Sequence, residues 1–125
     1  YGDGLQSRDF TYVANVVEGN LLAASTPGVA GEVFNIACGD QIPLRHVLDS
    51  IATLLDRQCT PTFLPARTGD VKHSRADITA AQERLGYQPR VTFAEGLAQT
   101  VASYANIAPA TQMGMAPAGS LVGQA

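Results

Sequence analysis

The stretch "SRDFTYVANVVEGNLLAAS", residues 7–25, decides how the chain is read. Val13, Val16, Val17, Leu21 and Ala24 recur at helical spacing and predict a helix, which Pro27 and Gly28 stop. Just ahead, Phe10, Tyr12 and Val13 close a short strand in this reading. Arg8 and Asp9 stand at the front of that apolar run, where a guanidinium and a carboxylate each need a partner. A second polar knot lies at "ARTGDVKHS", residues 66–74, inside a polar loop over 67–76.

Upstream, Gly2, Asp3, Gly4 and Ser7 read as a turn that leads into the strand. Downstream, "EVFNIA", residues 32–37, is a short β-rich run and predicts a buried strand. Leu44, Val47, Leu48, Ile51, Leu54 and Leu55 form the best amphipathic pattern of the chain, with Pro43 suited to the first turn of the helix. "CTPTFLPA", residues 59–66, predicts an edge strand, because Pro61 and Pro65 cannot donate to a ladder. Asp77 is placed to cap a short helix that ends at Leu85 with Gly86 behind it. Thr92 and Glu95 have the spacing of a capping box, and Phe93, Leu97, Val101 and Tyr104 line one face of a last helix. The expected fold is α+β, with about four helices and two or three short strands over residues 1–105. Residues 106–125 have no charge and no period, and are expected to be a disordered tail.

The 125 residues suit one domain, and 46% hydrophobic with 15% charged residues is ordinary globular composition. A net charge of −3 gives no diffuse basic footprint for nucleic acid, so any anion site is local. No apolar run approaches the ~18 residues of a membrane span. Cys38 and Cys59 lack metal-ligand spacing and read as buried reduced thiols, which fits a cytoplasmic origin. A start at Tyr1, in mid-phrase, suggests a fragment or a processed chain.

No complete active site can be assembled. His46 reads as a solvated residue on the polar side of its helix, and His73 lies in an unlike context. Gly2, Gly4 and Ser7 make G-x-G-x-x-S, which lacks the third glycine and opens no helix. Catalytic residues and metal ligands are therefore none. What remains are Arg8 and Arg67, since a guanidinium gives a phosphate paired, charge-assisted hydrogen bonds. Asp70 is placed to accept from sugar hydroxyls. The alternative is that Arg67 and Asp70 simply pair with each other on the loop.

Three segments carry a resemblance: residues 1–23, "YGDGLQSRDFTYVANVVEGNLLA"; residues 31–44, "GEVFNIACGDQIPL"; and residues 67–104, which open with "RTGDVKHSRADITAAQERLGY". Together they resemble the C-terminal part of the extended short-chain dehydrogenase/reductase family, and within it the NAD-dependent sugar-nucleotide epimerases and dehydratases, UDP-glucose and UDP-N-acetylglucosamine 4-epimerases above all. The resemblance implies the small substrate-binding domain of such an enzyme, with the NAD-binding Rossmann domain and the catalytic Tyr-x-x-x-Lys pair missing from this chain. It implies that Arg8 and Arg67 hold the diphosphate of a nucleotide-sugar, that Asp70 binds its ribose, and that Phe10 stands beside the substrate where the family has an aromatic residue. NAD would serve the parent enzyme from a site outside this chain. The activity implied is 4-epimerisation by transient oxidation at C4; a 4,6-dehydratase, a non-catalytic nucleotide-binding module and a truncated inactive product are the alternatives. Oligomeric state stays open, a homodimer of the parent being one option.

Two departures from the family pattern stand out. Ala14 and then Asn15 follow "YV", where the family usually has Asp. Either Asn15 takes over the helix cap, or that end is weaker by ~1 kcal/mol. Lys72 is the only lysine and Thr68 stands four residues before it, so this chain contains no Tyr-x-x-x-Lys pair and is expected to be inert alone.

Overall fold

The computed structural model describes residues 1–105; the expected tail over 106–125 lies outside the described residues. In chain order the elements are strand β1 (Ser7–Arg8), helix α1 (Val13–Ser25), strand β2 (Ile42–Pro43), and helices α2 (Leu44–Leu54), α3 (Thr79–Leu85) and α4 (Phe93–Ala105). β1 and β2 pair antiparallel, Ser7 opposite Pro43 and Arg8 opposite Ile42. Ser7 also bridges His73 in parallel on its other side. Helix α1 packs on α3, and α2 on α4. No helix among the described residues is long and apolar enough to cross a membrane.

The helix ends follow local chemistry. Gly86 takes the left-handed conformation, φ 67°, that closes α3. At α4 the Thr92 N–H donates to Glu95 Oε2 at 2.9 Å and the Glu95 N–H donates to Thr92 Oγ1 at 3.3 Å, a completed capping box. Asp77 stands one residue farther out than a cap: Ile78 is the N-cap of α3, and Asp77 Oδ1 accepts from the Thr79 N–H at 2.9 Å. Pro43 likewise caps α2 from an extended conformation and is not within its first turn.

The core is small. Val29, Ala37, Ile78, Ala81, Leu85 and Tyr87 are buried together, with Leu22, Phe34, Ile36 and Ala76 against them. Helix α1 meets this core through Leu22, buries Asn15 and Gly19 on the same side, and does not use its valines. A Cβ at Gly19 would lie 2.8 Å from the Ile36 side chain, so glycine lets the helix close on that residue. Val13, Val16, Val17 and Leu21 are exposed on the far side. The helix thus carries an exposed apolar stripe in addition to the side it packs on the core.

Several expectations are corrected. Residues 32–37 join no ladder among the described residues, and Val33 is 91% exposed. Residues 59–66 form no strand either; the Gly2 N–H reaches the Leu64 carbonyl at 2.9 Å, and two prolines leave little else to pair. A β-rich run becomes a strand only beside another backbone, which propensity cannot supply. The first strand ends at Arg8, before Phe10. Tyr104 is exposed, and so is Cys59, while Cys38 is half-buried. His46 is exposed as expected, with its ring 5.7 Å from that of Phe93.

Candidate functional site

Arg8 and Asp9 are neighbours on an extended backbone, so their side chains leave in opposite directions. Asp9 turns inward. Its Oδ1 accepts from the Cys38 N–H at 3.0 Å, and its Oδ2 from the N–H groups of Gly39 at 2.9 Å and Ala76 at 3.3 Å. It therefore fastens two chain segments and is a structural group. Asn15, 2% exposed, does similar work and caps nothing. Its Oδ1 accepts from the N–H groups of Arg90 and Val91, both at 3.0 Å, and its Nδ2 donates to the Val91 carbonyl at 2.8 Å. Tyr12 is the N-cap of α1 and makes no side-chain capping bond. Next to these anchors the Cys38 thiol is pushed up, first by burial and then by the Asp9 charge. Burial does the same to the Tyr87 phenol, which donates to the Ala37 carbonyl at 3.0 Å.

Arg8 turns outward to the second polar knot. The Ser7 N–H donates to the Lys72 carbonyl at 2.9 Å, the Ser74 N–H donates to the Ser7 carbonyl at 3.1 Å, and Ser7 Oγ lies 2.8 Å from His73 Nδ1. This stitching lays residues 66–72 beside β1. A cavity of about 300 Å³ opens there, lined by Tyr1, Asp3, Gln6, Arg67, Asp70 and Lys72 among others. Arg8 Nη2 donates to Asp70 Oδ1 at 3.0 Å, and its Nη1 donates to the carbonyls of Ser7 at 2.8 Å and Lys72 at 3.3 Å. Lys72 pairs with Asp3 at 3.4 Å. The Asp3 carboxyl is held below its usual range, first by the Leu5 N–H and also by Lys72.

Three of the four site residues read from the sequence, Arg8, Arg67 and Asp70, are therefore in one place. Phe10 is not with them: it lines a separate apolar cavity with Phe93, Leu97 and Val47, its ring 5.9 Å from that of Phe93. The pairing of Arg67 with Asp70 does not occur. Asp70 is taken by Arg8, and the Arg67 guanidinium lies over the Tyr1 ring, 3.8 Å from its centroid. Tyr1, Asp3 and Lys72 line the same cavity, and nothing in their spacing signals that residue 1 comes beside residue 67. The cluster sets three cations, Arg8, Arg67 and Lys72, against two carboxylates, Asp3 and Asp70, and so offers an anion a local positive field on an acidic chain.

Residues 1–37 match the model of the NAD dependent epimerase/dehydratase family. The UDP-glucose 4-epimerase of Mycolicibacterium smegmatis is 39% identical over 106 residues, which are 85% of this chain and 34% of that protein. Over most of its own length the chain is similar to members of this family. A crystal structure of UDP-glucose 4-epimerase from Thermotoga maritima with UDP-glucose superposes at a TM-score of 0.77, with 37% identity over 84% of this chain and 33% of that one. The UDP-glucuronic acid 4-epimerase of Bacillus cereus, in complex with UDP-glucuronic acid and NAD, superposes at 0.74 with 30% identity over 83% of this chain and 34% of that one. The chain thus spans about a third of the length of the relatives it matches. Its four helices and two-stranded sheet correspond to part of their fold.

Proposed function

We propose that residues 1–105 are the nucleotide-sugar-binding part of an NAD-dependent sugar-nucleotide 4-epimerase. Arg67 and Arg8 take the diphosphate and Asp70 takes the ribose hydroxyls. The observation that carries this reading is that Arg67 and Asp70 line one cavity of about 300 Å³ and that Arg8, distant in sequence, meets them there through its ion pair with Asp70. In the free chain Arg8 is bound to Asp70, so binding is an exchange. The guanidinium trades the carboxylate for phosphate oxygens, and the released carboxylate accepts from the ribose diol.

The described residues do not fit a dinucleotide. Gly2 and Gly4 lead into β1 and not into a helix, so no helix N-terminus faces a pyrophosphate there. Nor does the single lysine, Lys72, which pairs with Asp3, belong to a Tyr-x-x-x-Lys pair. NAD and the groups that move protons at C4 belong, in this proposal, to a cytoplasmic parent protein outside the segment described. The chain by itself binds and orients the nucleotide and turns nothing over; 4-epimerase activity of the purified chain would overturn that assignment.

Calorimetric titration with UDP tests the site. Arg67→Ala should weaken UDP about ten- to one-hundred-fold, from ~1.5–3 kcal/mol for hydrogen bonds to a charged group. Asp70→Asn should cost less, since an amide oxygen still accepts from a hydroxyl. Unchanged UDP affinity in a folded Arg67→Ala chain would remove the assignment.

A further inference from the structure

Arg67 differs from Arg8, the other arginine of the cluster, by what holds it. Arg8 is bound through its N–H donors, to one carboxylate and two carbonyls. Arg67 makes no ion pair among the described residues. Its guanidinium instead lies over the Tyr1 ring at 3.8 Å from the centroid, and both residues line the cavity. A guanidinium is planar and its five donors lie in that plane. A contact through the face therefore uses none of them. The other cation–ring contact, Arg45 over Phe63, is looser at 5.9 Å, and Arg45 also reaches Asp49 at 3.7 Å.

Tyr1 is itself fastened. Gln6 Nε2 donates to the Tyr1 carbonyl at 2.8 Å, and the next N–H, that of Gly2, donates to the Leu64 carbonyl at 2.9 Å. The backbone that carries the ring is thus anchored on both sides of the Tyr1–Gly2 peptide.

We propose that Tyr1 is a positioning residue for Arg67: its ring holds the guanidinium by the face and leaves the N–H donors free for the diphosphate of the ligand. The inference rests on the reading of this cavity as a nucleotide-sugar site, and adds to it the residue that orients the phosphate-binding arginine. Without the ring, Arg67 must be ordered at the moment of binding, and the affinity falls by that ordering cost. Tyrosine is needed here for its ring and not for its hydroxyl, since the contact is with the π face.

The test is titration of the 125-residue chain with UDP, with pyrophosphate and with uridine. Tyr1→Leu should weaken UDP and pyrophosphate roughly three- to tenfold. Tyr1→Phe should stay within about twofold of the unaltered chain, because it keeps the ring. In an Arg67→Ala background, Tyr1→Leu should do nothing more, since the residue it positions is gone. Three results would overturn the inference: Leu binding as well as Tyr, a loss that persists in the Arg67→Ala background, or uridine weakened as much as UDP, which would make Tyr1 a base-stacking residue. If the unaltered chain fails to bind UDP, or Arg67→Ala leaves it unchanged, the reading of the cavity falls, and the inference with it. Tyr1 is more than half exposed, so its variants should melt with the parent chain and leave binding as the variable measured.

Discussion

Two polar clusters flank the short strand β1, one behind it and one in front, and similar residue types do opposite things in them. Behind the strand, Asp9 and Asn15 have their side-chain oxygens bound to backbone N–H groups of segments far away in sequence. In front, Arg8, Asp70, Lys72 and Asp3 are bound to each other and remain partly exposed, and Arg67 rests on a ring. A polar group whose partners are buried backbone cannot change them without unsatisfied donors. One whose partner is another exposed side chain can exchange it for a ligand. The first cluster therefore belongs to the fold, and the second has the freedom a binding site needs.

The largest effect should come from the inner cluster. Asn15→Ala strands the N–H groups of Arg90 and Val91 and the Val91 carbonyl, and should cost roughly 3 kcal/mol, read from the urea midpoint. Asp9→Ala should do comparable damage through Cys38, Gly39 and Ala76. Either variant unfolding with the parent midpoint would erase the distinction between the clusters. The outer cluster should respond the other way round. Arg67→Ala should leave the urea midpoint within about 0.5 kcal/mol while UDP affinity falls. A stability loss as large as that of Asn15→Ala would mark the outer cluster as structural too.

Smaller effects sharpen the contrast. The carboxyls of Asp3, Asp77 and Glu95 are all held below their usual values, chiefly by hydrogen bonds: the Leu5 N–H for Asp3, Thr79 for Asp77, and the Thr92 N–H for Glu95. Because the folded state prefers these groups charged, their contribution is present above the unfolded carboxylate range. It is lost as pH falls through the lowered folded values. Stability should hold from pH 7 to about 5 and decline below about 4, and the decline should be shallower in a Glu95→Gln chain. A decline that begins near pH 6 would count against these three carboxyls as its cause.

The smallest effect should be on the outer face of α1. Val17→Glu and Leu21→Glu should change the stability of this chain by less than about 0.5 kcal/mol, because both side chains are exposed. We propose that the stripe is covered in a longer protein, consistent with a chain that spans about a third of its relatives. A large loss in the isolated chain would mean that the stripe already has a partner within it.

The sequence by itself determined the four helices and some of their ends, because helical hydrogen bonds and caps are local. The period of α2, Gly86 behind α3 and the Thr92–Glu95 box are all legible within a few residues. It also singled out Arg8, Arg67 and Asp70 as candidates, since phosphate and ribose chemistry narrows the residue types and the family resemblance supplied the rest. Only the tertiary structure decided which face of α1 is buried. Apolar spacing pointed to Val13, Val16, Val17, Leu21 and Ala24, yet the buried side carries Asn15, Leu22 and Gly19, and at Gly19 Ile36 leaves no room for a side chain. Only it denied residues 32–37 and 59–66 a ladder, because a strand needs a neighbouring backbone and not merely β-branched residues. And only it sent Asp9 inward and Arg8 outward to Asp70, and laid Arg67 on Tyr1, because side-chain partners distant in sequence are chosen by where the chain returns in space.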